Sequence, residues 1–175
     1  GEKAKALLPE ITEPYYKITV LSGLAGLYIQ SNAADSSYLD SAIVYAKKTL
    51  ELAIEFGYFT KVNQLASNLA DAYMLQGDFI NALEYCKQSI AYRSYLFPGE
   101  VMISYLKFSD CYFGLKKYDL SIAYLDSARP VVLELHDPYY EMAFYDRVYS
   151  YNKEAGNYQA ALTGLSDSDR QQLLA

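Results

Sequence analysis

The amino-acid sequence predicts an all-α fold, a right-handed solenoid of antiparallel helix pairs, and three observations carry that reading. First, the small residues Ala42, Ala82, Ser121 and Ala161 stand 40, 39 and 40 residues apart. Each is followed by Ile43, Leu83, Ile122 or Leu162 and preceded, three residues earlier, by Leu39, Phe79, Tyr118 or Tyr158. Second, an upstream pattern repeats in step with the first. Leu24-Ala25-x-x-Tyr28, Leu69-Ala70-x-x-Tyr73 and Phe108-Ser109-x-x-Tyr112 share one spacing, and Val148-Tyr149-x-x-Asn152 is a degenerate fourth copy. Third, turn residues separate the two patterns, at Gly77-Asp78, Lys116-Lys117 and Gly156-Asn157. An apolar residue, a small residue and an aromatic three further on lie along one helix face. A unit of helix, tight turn and helix, repeated at a fixed period, is the signature of a stacked array.

The elements follow in order. Thr12-Glu13-Pro14 opens the first unit, because proline is tolerated in the first helical turn. Asp137-Pro138 opens the fourth in the same way, with Asp137 as N-cap. Gly57 reads as a C-terminal cap. First helices are expected near 14–31, 58–76, 98–115 and 138–155, and second helices near 36–56, 79–96, 118–135 and 158–165. The chain is thus read as a single domain over 1–175, with hairpins 14–56, 58–96, 98–135 and 138–165. Residues 3–10 read as the remnant of an earlier second helix. Pro130 is expected to kink its helix by removing one hydrogen bond. The predicted core includes Leu69, Ala70, Tyr73, Phe79, Ala82, Leu83, Cys86, Phe108, Tyr112, Tyr118, Ile122, Leu125, Tyr158 and Leu162.

Composition narrows the functional classes. The chain is 52% hydrophobic and carries a net charge of −6, which is too apolar for a disordered chain. An acidic balance argues against direct binding of nucleic acid, which calls for clustered Lys and Arg. The longest uncharged stretch, Ile18 to Ala34, is too polar to cross a membrane and reads as a buried helix, so no membrane insertion is expected. The first residue is Gly1, which reads as a piece of a longer chain. Two cysteines, Cys86 and Cys111, make no disulfide framework and read as buried thiols. With one histidine, His136, they cannot complete a four-ligand zinc site. His136 is placed at a helix end, capping carbonyls or facing water. Gly23-x-x-Gly26 falls inside a helix, where it permits close packing and cradles no phosphate. No catalytic constellation assembles, so no cofactor, no metal and no enzymatic activity are expected.

The double pattern resembles the tetratricopeptide repeat family. That family places Leu, Gly or Ala, and Tyr on the first helix, then Gly, an aromatic and Ala at the turn and second helix. Residues 63–96 match it best, through Leu69, Ala70, Tyr73, Gly77, Asp78, Phe79, Ala82 and Ile90. The likeness extends from about Tyr15 to Leu165. The period of 39–40 exceeds the ~34 of the standard unit. The family's early Trp and late Pro are missing, and the first unit carries extra residues, Ser31 to Ser36, in its turn. Longer units of this kind resemble those of bacterial regulatory proteins that sense peptides or nutrients.

The resemblance implies that the first helices line a concave groove. On them Asn68, Lys107 and Arg147 recur 39 and 40 residues apart, and Asp71 and Asp110 recur 39 apart, with Ser150 next in the series. These five residues are the predicted ligand-binding set. A Lys–Arg stripe could hold a peptide carboxylate while Asn68 bonds its backbone. The plainer alternative pairs Lys107 and Arg147 with Asp110 and Asp146 inside the protein. The expected function is binding of a protein or peptide within a larger bacterial signalling or regulatory protein. The rival is a carbohydrate or small ligand stacked on tyrosines, for which Tyr15, Tyr16, Tyr139, Tyr140 and Tyr145 are candidates. At the chain's end, Ser166-Asp167-Ser168-Asp169 reads as a helix stop. An uncovered face near Leu162 and Leu165 is expected to give weak self-association there.

Overall fold

The computed structural model describes residues 8–31 and 36–164. Eight α-helices follow one another: α1 (Pro14–Ser31), α2 (Ser36–Glu55), α3 (Phe59–Leu75), α4 (Phe79–Ile90), α5 (Pro98–Gly114), α6 (Tyr118–Leu135), α7 (Pro138–Glu154) and α8 (Tyr158–Ala161). Short 3-10 turns cover Leu8–Glu10, Arg93–Tyr95 and Leu162–Gly164. No strand occurs among the described residues. The chain divides into two compact units, Gly1–Leu96 and Phe97–Ala175. In the first, α1 packs on α2 and α3, and α3 on α2 and α4. In the second, α6 packs on α5 and α7, and α8 on α7.

The helix boundaries have local causes. Gly57, Gly77 and Gly156 all adopt positive φ at the end of a helix, where a side chain would be strained. Lys116 fills the same place after α5 with φ 59°, so here a non-glycine residue takes the left-handed turn. Asp78 caps α4 by accepting from the Asn81 backbone N–H at 3.1 Å, and Asp137 caps α7 by accepting from Tyr139 N–H at 2.9 Å. At the start of α5, the Phe97 N–H donates to Glu100 Oε2 at 2.8 Å. His136 closes α6 in the left-handed conformation and is exposed. α6 runs through Pro130, which lies on its exposed side.

Two second helices are shorter than expected. α4 stops at Ile90 and not near residue 96. Pro98 forces Phe97 into extended backbone (ψ 152°), and the preceding residues close into a 3-10 turn. α8 ends at Ala161, where Leu162-Thr163-Gly164 tightens into 3-10 geometry and Thr163 Oγ1 bonds to the Ala160 carbonyl at 2.7 Å. The insertion at 32–35 and the chain end from Leu165 on lie outside the described residues.

Small residues set the helix spacing. Ala70 and Ala82 are fully buried where α3 meets α4. In the next hairpin their counterparts are Ser109 and Ser121, whose hydroxyls lie 2.9 Å apart, and Ser109 also donates to the Ser121 carbonyl at 2.9 Å. Replacing alanine by serine in a buried contact requires such a partner. Asn63 Nδ2 donates to the Ser89 carbonyl at 2.8 Å, a second polar tie between α3 and α4. The aromatics repeat too. Tyr73 stacks on Tyr85 (centroids 5.5 Å apart) and Tyr112 on Tyr124 (5.4 Å), 39 residues further on. Lys47 Nζ rests 5.3 Å from the Tyr73 ring, and its hydrogen bond to the Tyr73 hydroxyl raises its pKa.

The first core gathers around Ile18, Leu39, Leu65 and Leu69, and the second around Met102, Leu106, Phe144 and Val148. Of the predicted core, Leu69, Ala70, Ala82, Cys86, Phe108 and Leu125 are buried. Tyr73, Phe79, Leu83, Tyr112, Tyr118, Ile122 and Leu162 are half-buried. Tyr158, the first residue of α8, is 69% exposed, contrary to expectation. Cys86 and Cys111 are free and buried. Replacing Ala82 by Leu should force α3 and α4 apart and cost about 1–3 kcal/mol. Chemical denaturation at fixed temperature measures it; an unchanged midpoint would contradict the close helix contact.

Candidate functional site

The five predicted ligand-binding residues divide between the units. Asn68 and Asp71 lie half-buried on α3. Lys107 and Asp110 lie half-buried on α5, and Arg147 on α7.

In the second unit the structure brings Asp110 and Arg147 into direct contact. Arg147 Nε donates to Asp110 Oδ1 at 2.7 Å and Nη2 to Oδ2 at 2.9 Å. This is the planar two-point fit of guanidinium to carboxylate. Nη1 donates to the Ala143 carbonyl, one turn earlier on α7, at 2.7 Å. Tyr151 Oη donates to Asp110 Oδ1 at 2.6 Å, and its ring stacks on Phe113 at 3.9 Å. The plainer alternative is thus partly realised. Arg147 pairs with Asp110 across two helices, and Asp146 stays exposed on α7.

The first unit shows a contact in the same register. A Cβ placed on Gly26 of α1 would lie 3.3 Å from Asn68 Nδ2. Gly26 is the counterpart of Asp110, and Asn68 of Arg147, so one position joins successive first helices in both units. Gly26 therefore does serve close packing, whereas Gly23 has nothing within 4 Å.

The cluster's electrostatics follow from its burial. Burial opposes the charge on Arg147, but the hydrogen bond and charge of Asp110 outweigh it and hold the guanidinium pKa above its usual value. Burial first, and then the Asp110 charge, push the Tyr151 phenol well above its usual range. Sequence reasoning missed Tyr151 and Phe113. Tyr151 stands four residues after Arg147, on the same side of a helix, and that spacing was the available signal.

The tyrosines proposed as platforms separate as well. Tyr140 and Tyr145 pack against the second core, and the Tyr140 hydroxyl occupies the space a Cβ on Gly99 would need, 2.5 Å away. Tyr15, Tyr16 and Tyr139 are exposed. An open cleft of about 410 Å³ in the second unit is lined by turn residues such as Lys116 and Asn157 and by the start of α6, including Asp119, and by none of the five predicted residues. Among the described residues no group of His, Cys, Asp and Glu could hold a metal ion, and no helix is long and apolar enough to cross a membrane. No known family model matches the chain, and no curated protein matches it in sequence.

Two outcomes test the cluster. Asp110→Asn leaves the half-buried guanidinium without its carboxylate and should cost about 1.5–3 kcal/mol, the worth of hydrogen bonds to a charged group. Tyr151 has a folded pKa raised above the unfolded value of about 10. Its contribution to stability is therefore full below pH ~10 and lost as the pH rises beyond it. Urea midpoints taken from pH 9 upward should fall more steeply for the natural chain than for Tyr151→Phe. Parallel curves would show that the phenol does not report on Asp110.

Proposed function

We propose that the chain is a protein- or peptide-binding module, built from tetratricopeptide-like helix pairs of a right-handed solenoid, within a larger bacterial signalling or regulatory protein. The observation that carries the reading is the state of Arg147. Its guanidinium is held by Asp110, the Ala143 carbonyl and Tyr151, and its side chain is still 31% exposed. A held arginine loses little freedom on binding, so its exposed edge suits a carboxylate of a bound segment. Lys107, one turn before Asp110 on α5, adds positive charge to the same neighbourhood. Asp110 thus acts as the brace of Arg147 in this reading, and not as a ligand contact.

The rival, a carbohydrate stacked on tyrosine faces, draws on the exposed Tyr15 and Tyr139. The two separate cleanly. A displayed library of random peptides with free C-termini should yield binders whose affinity falls at least about tenfold when the terminus is amidated, or in the Lys107→Glu, Arg147→Glu double variant. Selected peptides indifferent to both changes would place the site elsewhere. Loss of binding in Tyr139→Ala alone would favour the stacking site.

A further inference from the structure

The turn inside a hairpin asks for two residue types. Its first position takes positive φ, which suits glycine, and its second precedes a helix, where a short polar side chain can cap. The second and fourth hairpins comply, with Gly77-Asp78 and Gly156-Asn157. The third has Lys116-Lys117 in their place. Lys116 takes φ 59°, a strained value for a residue with a Cβ, and Lys117 makes no side-chain bond to the first turn of α6. Both lysines are poor choices for the turn itself. A residue in conflict with its local structure points to a demand from outside it. The turn's surroundings show one. Lys116 and Lys117 line the open cleft of about 410 Å³, with Tyr118 and Asp119 of α6 and Asn157 of the following turn. That volume is of the size of a small-molecule site. Among the described residues neither ammonium group is engaged in an ion pair or a side-chain hydrogen bond. The Tyr118 ring rests against Phe113, centroids 5.5 Å apart, which fixes one wall.

We propose that this cleft binds a small phosphate monoester that carries hydroxyl groups, of the sugar phosphate class. A phosphate monoester holds a charge of about −1.5 to −2 near pH 7, and two adjacent lysines match it as two point charges. A single carboxylate would leave one of them unmatched. The lining sets two lysines against one aspartate, so it stays positive in a chain whose net charge is −6. Asp119 repels phosphate, and as an acceptor it suits the hydroxyl groups of the same ligand. The Asn157 amide both donates and accepts, and serves either part. The size of the cleft favours a small molecule over a segment of a phosphorylated protein. The site contains none of the residues around Arg147 and does not depend on the peptide-binding reading.

Titration of the full chain with glucose 6-phosphate, followed by amide chemical shifts, tests this. Saturable shifts should concentrate at residues 116–120 and 155–157, and glucose should give none. The Lys116→Gln, Lys117→Gln double variant should bind at least about tenfold more weakly and melt with the natural chain. Transplanting the second hairpin's turn, as Lys116→Gly with Lys117→Asp, should abolish binding and yet raise the melting temperature, because it supplies the glycine and the cap. Loss of binding in a more stable chain cannot come from misfolding. The absence of saturable shifts at the two turns overturns the proposal. So does equal affinity in the glutamine variant, or an equal response to glucose. A transplanted turn that melts lower than the natural one overturns it too, since the lysines would then serve the fold. A phosphoserine peptide that binds the same turns at least about tenfold more tightly than glucose 6-phosphate would overturn it in favour of a modified protein partner.

Discussion

The close approach of two helices within each hairpin is the constraint on which the structure depends. It requires a side chain no larger than serine at one position on each helix. Ala25 and Ala42, then Ala70 and Ala82, then Ser109 and Ser121 meet it, and all six are buried. Once the backbones are that close, the residues three further along are set at stacking distance. That is why Tyr73 and Tyr85 in one hairpin and Tyr112 and Tyr124 in the next adopt the same parallel arrangement. The fourth hairpin departs from the rule: its first helix carries Tyr149 at the small position and Asn152 in place of tyrosine.

Successive first helices are joined by a different rule. The contact position is filled by Gly26 and Asn68 in the first unit and by Asp110 and Arg147 in the second. Glycine admits the neighbouring side chain by having none of its own. Asp110 admits it through charge, and then requires Arg147, Tyr151 and the Ala143 carbonyl to complete the bonding of the cluster. One position in the repeat is therefore both a packing contact and the place where polar chemistry concentrates. A residue there can fix a partly exposed arginine from the neighbouring first helix.

Much was legible in the sequence because each feature was local. The 39–40 residue register, the cap at Asp137, and the turns at Gly57, Gly77 and Gly156 depend only on neighbours a few positions away. Periodicity alone located the hairpins and the small residues of their seams. It also placed Asp110 and Arg147 on first helices. The partnership between them lay outside its reach, since they are separated by a whole hairpin. The uncharged run of α1 misled for the same reason. Composition reports that a helix lacks charge, but burial is decided by what packs against it, and Tyr16 and Leu27 stay exposed.

The sequence by itself determined the all-α class, the hairpin unit and the identity of the close-packed seam, because helix periodicity and turn chemistry act within one unit. Tertiary structure alone decided which polar side chains bond to one another and which apolar ones stay open. Those outcomes depend on distances between residues far apart in the chain. Arg147 reaches Asp110 only because α5 and α7 lie side by side, and Tyr158, placed in the core by its register, faces solvent.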